Sequence, residues 1–229
     1  MDRNKVENYR LSLFGRMVMG VSHEVDNYLS VILGFSELIQ ISGGGEKKTL
    51  DSVGKILNAG EKINSLIRYF SQYVRPHDPV RERFSPAEAL RESLVFSRYD
   101  LGRNNVALAL PENFPRGLIT ADRRDFALAL LALMFNGSEA MAPGGGTLRL
   151  EVSLRDGGWE FAVTDEGPGI PPEIAQRIFE EGFTTKKGSL HAGMGLPLAR
   201  YLAAEMGGTV SVANPPTGGC EAVLRIPGN

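Results

Sequence analysis

The chain has 229 residues, of which 42% are hydrophobic and 23% charged, with a formal net charge of −2. This composition is ordinary for a globular protein with one large domain or two modest ones. The 25 basic side chains are balanced by 27 acidic ones. Neither the part of the chain before Pro76 nor the part after it has the basic excess of a nucleic-acid binder, so we expect no nucleic-acid partner.

Cysteine content and hydropathy argue against a disulfide-stabilised, cysteine-based zinc-binding or membrane-spanning protein. The single cysteine, Cys220, cannot form an internal disulfide or a cysteine-based zinc site, and it fits a reducing environment. The longest apolar stretch, residues 126–135, is too short to span a bilayer, and residues 1–4 are not followed by a signal-peptide hydrophobic region. We therefore expect a cytoplasmic protein with no direct membrane insertion in this chain.

Apolar residues recur at alternating steps of three and four in the N-terminal region, a spacing typical of a long helix with one apolar seam. The seam residues are Leu11, Phe14, Val18, Val21, Val25, Tyr28, Ile32, Phe35 and Ile39. Glycines 43–45 end this helix, and a second seam occupies residues 53–74, ahead of Pro76. We predict an antiparallel helical hairpin. Because two helices cannot enclose a core, a second copy is expected to complete a dimeric four-helix bundle, so the chain is predicted to form a homodimer.

After Pro79 short strands and helices alternate. Helices are predicted at 85–99, 122–142 and 196–206, and strands at 106–110, 147–154, 159–164, 209–213 and 221–226. This pattern indicates an α+β domain in which helices cover a mixed or antiparallel sheet. We place the two domains at residues 1–78 and 79–229.

His23 lies in the first helix at a position that faces away from the seam. Asn27, four residues on, shares that face, and Glu24 is adjacent to it. A neutral exposed imidazole is a competent nucleophile toward phosphorus, and a neighbouring carboxylate can hold its second ring nitrogen. A lone histidine on a helix is more often a solvated side chain with no role, and these residues alone leave that interpretation open.

Three segments of the second domain are candidates for a nucleotide pocket. Asp165, at a strand end, can accept a hydrogen bond from the exocyclic amine of adenine, and Gly167 and Gly169 let the backbone approach a base or phosphates. Residues 193–196 form a glycine-rich turn into a helix, where backbone amides favour phosphate. Asn136, in an apolar helix, offers an uncharged oxygen suited to Mg²⁺. Each segment alone is also compatible with a tight turn or a satisfied buried amide.

In their order along the chain, these segments resemble the H, N, G1, F and G2 boxes of bacterial sensor histidine kinases. The resemblance assigns His23 as the phosphoryl acceptor, Glu24 as its base or orienting partner, and Asn27 as the residue that positions water to dephosphorylate the partner. The nucleotide boxes correspond to Asn136 (N), Asp165, Gly167, Gly169 and Ile170 (G1), Phe179, Phe183, Thr184, Thr185 and Lys186 (F), and Gly193, Met194, Gly195 and Leu196 (G2).

The resemblance runs from about residue 11 to the C-terminus and implies both a fold and an activity. The second domain should be an α/β sandwich of the ATP-binding type shared by gyrase, Hsp90 and MutL. Its boxes should bind ATP, Asn136 should hold Mg²⁺, and residues 171–192 should form a lid. The γ-phosphoryl group would pass to His23 and then to an aspartate of a response-regulator receiver domain. Lys186 fits a phosphate contact and a solvated loop charge equally well, and for His77 and His191 linker or surface roles are favoured.

Three residues depart from the family pattern. Tyr28 stands where a proline is usual, Ala132 where kinases often carry another asparagine and the ATPases a catalytic glutamate, and Pro197 where the last G2 glycine is expected. Because Ala132 cannot act as a general base, hydrolysis of ATP by a residue at this position is disfavoured. An ATP-driven conformational clamp needs that hydrolysis and is therefore disfavoured as well. The alternative function is a dimeric histidine phosphotransferase or scaffold whose ATPase-like domain binds no nucleotide.

Overall fold

The structure, a computed structural model, describes residues 2–42, 46–75, 78–185 and 193–228. It divides into two compact units: Met1–Leu13 with Pro76–Asn229, which we call the α/β unit, and Phe14–Arg75, which we call the helical unit. The division at residues 1–78 and 79–229 stays a prediction. The structure adds that the residues up to Leu13 group with the α/β unit.

Some residues discussed above lie outside the described ranges. They are glycines 43–45, Pro76, His77, Lys186 and His191. Of the predicted lid, residues 171–185 are described.

Two long helices run antiparallel through the helical unit. Helix α1 spans Arg3–Ser42 and α2 spans Glu46–Val74. Near one end Phe14 packs edge-on against Phe70, with ring centroids 5.9 Å apart. Farther along α1 and farther back along α2, Lys55 Nζ lies 4.6 Å from the ring centroid of Phe35. The predicted helical hairpin is therefore confirmed.

On α2, Ala59 and Leu66 are buried within the single chain, whereas the seam residues Val53 and Ile67 are exposed. Because a second copy was expected to cover the seam, their exposure in one chain leaves that prediction untested. The exposed apolar residues leave a second apolar stripe on α2.

The α/β unit contains most of the remaining elements. In chain order they are β1 (Arg81–Phe84), α3 (Pro86–Arg103), β2 (Val106–Ala109), β3 (Ile119–Asp122), α4 (Arg123–Met141), β4 (Gly146–Arg155), β5 (Gly158–Asp165), a 3₁₀ turn (Pro172–Ile174), α5 (Gly195–Glu205), β6 (Thr209–Ala213) and β7 (Cys220–Pro227).

The main sheet has five strands in the order β2-β4-β5-β7-β6. Strand β2 pairs with β4 in parallel and the other pairs are antiparallel, so the sheet is mixed and the predicted α+β class is confirmed. The β4–β5 hairpin turns at Asp156 (φ 49°) and Gly157 (φ 74°), and these two left-handed residues suit the twist of a two-residue hairpin.

The core lies between this sheet and a helical layer. Trp159, Phe161, Val163 and Asp165 point inward from β5, alternating with less buried residues. Phe126 of α4 meets Phe161 edge-on with ring centroids 5.0 Å apart. The apolar run of α4, residues 126–135, is entirely buried. Within the described ranges, none of the helices has both the length and the apolar character that a bilayer crossing requires.

A second, two-stranded sheet formed by β1 and β3 was not predicted. Each strand has four residues, and β1 reads Arg-Glu-Arg-Phe with only Phe84 buried, so hydropathy shows no alternation. Asp122 closes this sheet onto α4 because its carboxylate accepts hydrogen bonds from the N–H of Asp125 (2.8 Å) and from the N–H of Val80 (2.7 Å).

We expect Phe161→Ala to destabilise the α/β unit by about 3–5 kcal/mol, because it removes a fully buried ring in contact with Phe126 and Trp159. Urea denaturation followed by circular dichroism measures the change. Arg149→Ala, on an exposed position of the neighbouring strand, is the control and should stay within about 0.5 kcal/mol of the unaltered protein. Equal effects of the two substitutions would contradict the assignment of the core.

Candidate functional site

A cavity of about 430 Å³ opens in the α/β unit where β5 ends and α5 begins. Helix α4 forms one wall and the segment after β5 forms another, while residues 183–185 and the turn into α5 close the rest. Its lining includes many residues of the predicted boxes: Asn136, Asp165, Gly169, Ile170, Thr184, Thr185, Gly193, Met194, Gly195 and Leu196. Segments far apart in sequence thus meet around one cavity.

Asp165 is the last inward-facing residue of β5 and is 5% exposed. Its Oδ1 accepts a hydrogen bond from the N–H of Gly167 at 2.9 Å, which holds the carboxylate in place. Gly137 of α4 lies directly against it, since a Cβ on Gly137 would come 3.3 Å from Asp165 Cβ and 2.7 Å from Leu148 Cδ1. The helix can therefore approach the strand end closely. A buried carboxylate in a mainly apolar cavity wall can accept a hydrogen bond from the amine of a flat base.

The backbone after Asp165 is held by an asparagine that the sequence did not single out. The side-chain amide of Asn214 accepts from the N–H of Ile170 and donates to its carbonyl, both at 2.8 Å. Gly169 has a φ of 73°, and a Cβ there would come 3.1 Å from Asn214 Oδ1, so this close approach needs glycine. Only tertiary structure brings residues 170 and 214 together.

The turn before α5 supplies backbone rather than side chains to the cavity. Gly193 adopts a φ of 73°, and its Cα faces the carbonyl of Phe183 with no space for a side chain. Helix α5 starts at Gly195, and the first amides of a helix have no acceptor within it, so they favour an anion. Pro197 sits in the first turn, where its missing N–H costs no helical hydrogen bond.

Asn136 and Glu139 bring side-chain oxygens to the α4 wall, and both are half-buried. In the described part of the chain no cluster of three or more His, Cys, Asp or Glu is placed to hold a metal ion. Mg²⁺ needs only one or two protein oxygens when phosphates and waters complete its shell, so the two side chains fit this ion. Glu139 was missed, although its position three residues after Asn136 on one helix face could have indicated it.

Two predicted binding residues lie outside the cavity lining. The ring of Phe179 is covered by the guanidinium of Arg200, 4.6 Å from its centroid, and its carbonyl accepts from Arg200 Nη2 at 3.1 Å. Gly167 holds Asp165 instead of lining the cavity. Lys186 lies outside the described residues. Tyr9, which no motif indicated, does line the cavity.

The predicted phosphoacceptor residues belong to the helical unit. His23 and Asn27 are exposed on α1 one turn apart, and Glu24 beside them is half-buried. A histidine at this position is accessible to a reactant.

Residues 121–229 match the family model described as histidine kinase-, DNA gyrase B-, and HSP90-like ATPase. The matched region contains α4, β4 to β7 and α5, and with them Asn136, Asp165 and the turn at 193–196. The C-terminal part of the chain is therefore an ATPase-like nucleotide-binding domain of this class.

The relatives extend the similarity to the helical unit. Sensor histidine kinase ZraS of Escherichia coli (strain K12) is 27% identical over 222 residues, which cover 96% of this chain and 47% of ZraS. The solved catalytic domain of histidine kinase ThkA is 26% identical with a TM-score of 0.58, over 65% of this chain and 95% of that one. The structure of ThkA in complex with response regulator protein TrrA is 22% identical with a TM-score of 0.55, over 97% of this chain and 64% of that one, and supports the fold alone.

The chain is thus similar to sensor histidine kinases over nearly its whole length, and its C-terminal part matches the ATPase-like family model. It spans about half the length of ZraS.

We expect Gly137→Ala to destabilise the α/β unit by about 1–3 kcal/mol and to weaken nucleotide binding, because the added methyl group would displace Asp165 or Leu148. Gly102→Ala is the matched control: it is also a helical glycine, but it has no atom within 4 Å of the added methyl group. It should stabilise by about 0.5–1 kcal/mol. Urea denaturation and calorimetry with ATP measure the two effects, and a stabilising Gly137→Ala would show that α4 does not press on Asp165.

Proposed function

We propose that this protein is an ATP-dependent protein-histidine kinase that phosphorylates its own His23. The observation that carries the proposal is the shared cavity, in which the buried carboxylate of Asp165, the oxygens on α4 and the amide-bearing turn before α5 face one space. A base acceptor, a site for a divalent cation and a phosphate site in one cavity match the three chemical parts of Mg-ATP.

In the proposed complex each wall of the cavity binds one part of ATP. Asp165 accepts from the adenine amine, the backbone at Gly169 and Ile170 borders the base, and the amides at the start of α5 bind phosphate. Asn136, with Glu139 beside it, holds Mg²⁺, which neutralises charge on the phosphates when bound. Thr184 and Thr185 offer hydroxyl donors to the same space.

The transfer step uses the imidazole of His23 as nucleophile. A neutral ring nitrogen forms a P–N bond to the γ-phosphorus as the bond to the β,γ-bridging oxygen breaks, and ADP leaves with that electron pair. Glu24 accepts a hydrogen bond from the second ring N–H, stabilises the positive charge that develops and takes up the released proton. Catalysis then depends on positioning and charge neutralisation, as in other phosphoryl transfers.

We further propose that the phosphoryl group passes from His23 to an aspartate of a response-regulator receiver domain. Two features support this partner: a relative, ThkA, is recorded in complex with a response regulator, and the exposed His23 is accessible to a second protein. Asn27 lies one turn from His23, where it positions water to hydrolyse the aspartyl phosphate of the partner, which releases inorganic phosphate and the free aspartate.

The active species is proposed to be a homodimer. Large apolar side chains remain exposed on both helices of the helical unit, among them Leu29, Leu33, Leu50, Leu57 and Ile67. An apolar surface of this kind on a helical hairpin indicates a protein interface, and a second hairpin completes a four-helix bundle.

Incubation with γ-labelled ATP tests the kinase proposal. We expect the intact chain to acquire an acid-labile, base-stable label that His23→Ala abolishes. Asp165→Asn should lower labelling at subsaturating ATP by about tenfold or more, since an amide replaces the buried acceptor. Ser22→Ala is the control, because Ser22 is the exposed neighbouring hydroxyl and its loss should leave the label intact. A label that persists in His23→Ala, or that fails to form on the intact chain, would contradict the proposal.

The homodimer is tested by Leu57→Glu, which places a charge on the exposed apolar stripe of α2. We expect this variant to sediment as a monomer at concentrations where the intact protein is dimeric, because burying an unpaired carboxylate is costly. Asn58→Glu, which adds the same charge at the neighbouring exposed position, should remain dimeric. Equal mass for all three proteins would place the interface elsewhere.

A further inference from the structure

The first turns of α1 pack onto the α/β unit. Val6, Tyr9 and Leu13 are buried, with exposed fractions of 0%, 6% and 0%. Their spacing of three and four residues places them on one face of the helix. We call residues 3–13 the N-terminal strap. They are out of register with the seam that begins at Leu11, which is exposed, so a different face of the same helix packs in the α/β unit.

Two ion pairs fix the strap. Arg3 donates two hydrogen bonds to Asp125, at 2.8 and 3.2 Å, in the first turn of α4. The Lys5 ammonium lies 2.6 Å from the carboxylate of Glu181, two residues before Phe183 in the cavity wall. The hydrogen bond from Lys5 lowers the pKa of Glu181 to about 2, so this carboxylate is ionised throughout the neutral range. The strap thus joins α4 to the segment that carries Thr184 and Thr185.

This attachment places the Tyr9 hydroxyl at the phosphate end of the cavity. The oxygen lies 3.5 Å from the point that a Cβ on Gly195 would occupy, and the Ala132 carbonyl lies 3.7 Å from the same point. Ala132 brings only a methyl group to the α4 wall there. It precedes Gly137, which contacts Asp165, by five residues, or about 7.5 Å along the helix. Tyr9 is therefore displaced from the base acceptor toward the first turn of α5.

We infer that Tyr9 is a nucleotide-binding residue, supplied by the N-terminal strap, whose hydroxyl donates a hydrogen bond to a phosphate oxygen of bound ATP beside Gly195. The inference rests on the proposed ATP site and extends it to a residue outside the ATPase-like domain. Without the strap, the cavity lacks this hydroxyl at the point where Ala132 offers no polar side chain.

Calorimetry of the full chain with Mg²⁺ and a non-hydrolysable ATP analogue tests the role of Tyr9. Tyr9→Phe removes only the hydroxyl and keeps the buried ring, so we expect about tenfold weaker binding, the usual effect of losing a hydrogen bond to a charged group. Unchanged or tighter binding by Tyr9→Phe would overturn the inference, and tighter binding would mean that the hydroxyl blocks the phosphates. If the intact chain fails to bind the analogue, the proposed ATP site itself is wrong and this inference falls with it.

A charge exchange tests the strap independently of the cavity. Lys5→Glu and Glu181→Lys should each weaken analogue binding by about threefold, and the double exchange should restore it. Lys48→Glu, the same charge change at an exposed position of the helical unit, is the control and should bind like the intact chain. Single variants that bind normally, or a double variant no better than the singles, would show that docking of residues 3–13 does not support the site.

Discussion

A carboxylate buried at the end of an apolar strand constrains the whole α/β unit. Trp159, Phe161 and Val163 fill the inner face of β5, and Asp165 continues the same row into the core. A charged group there is tolerated only when it is hydrogen-bonded, and the N–H of Gly167 supplies one such bond. The sheet, α4 and the loop after β5 have to meet at this point, so the binding cavity is a part of the core and not an addition to its surface.

The glycines around Asp165 follow from that constraint. Gly137 lets α4 touch the carboxylate, and Gly219 faces the backbone carbonyl of Asp165 from the neighbouring strand end, where no side chain fits. Asn214 then fixes Ile170 through two hydrogen bonds.

Sequence periodicity predicted the five helices and the five strands of the main sheet, because the spacing of their apolar residues is local, but it missed the short strands β1 and β3. The alternation from Trp159 to Thr164 predicts a strand, and the apolar run of α4 predicts a buried helix. The glycine-rich boxes lie next to such elements in the sequence, after β5 and at the start of α5. Local spacing does not predict the hydrogen bonds between Asn214 and Ile170 or the approach of Tyr9 to the Gly195 turn, because both bring together residues far apart in the chain.

The position of Trp159 gives the protein a built-in spectroscopic label. It is the single tryptophan, 2% exposed and stacked on Phe161 with the rings 13° from parallel. It lies six residues before Asp165 on β5, about 20 Å away along the strand. Its emission should therefore be blue-shifted in the native protein and should respond to melting of the α/β unit while remaining insensitive to ligand. Since the helical unit has no indole, fluorescence and far-ultraviolet dichroism together can separate the unfolding of the two parts of one chain.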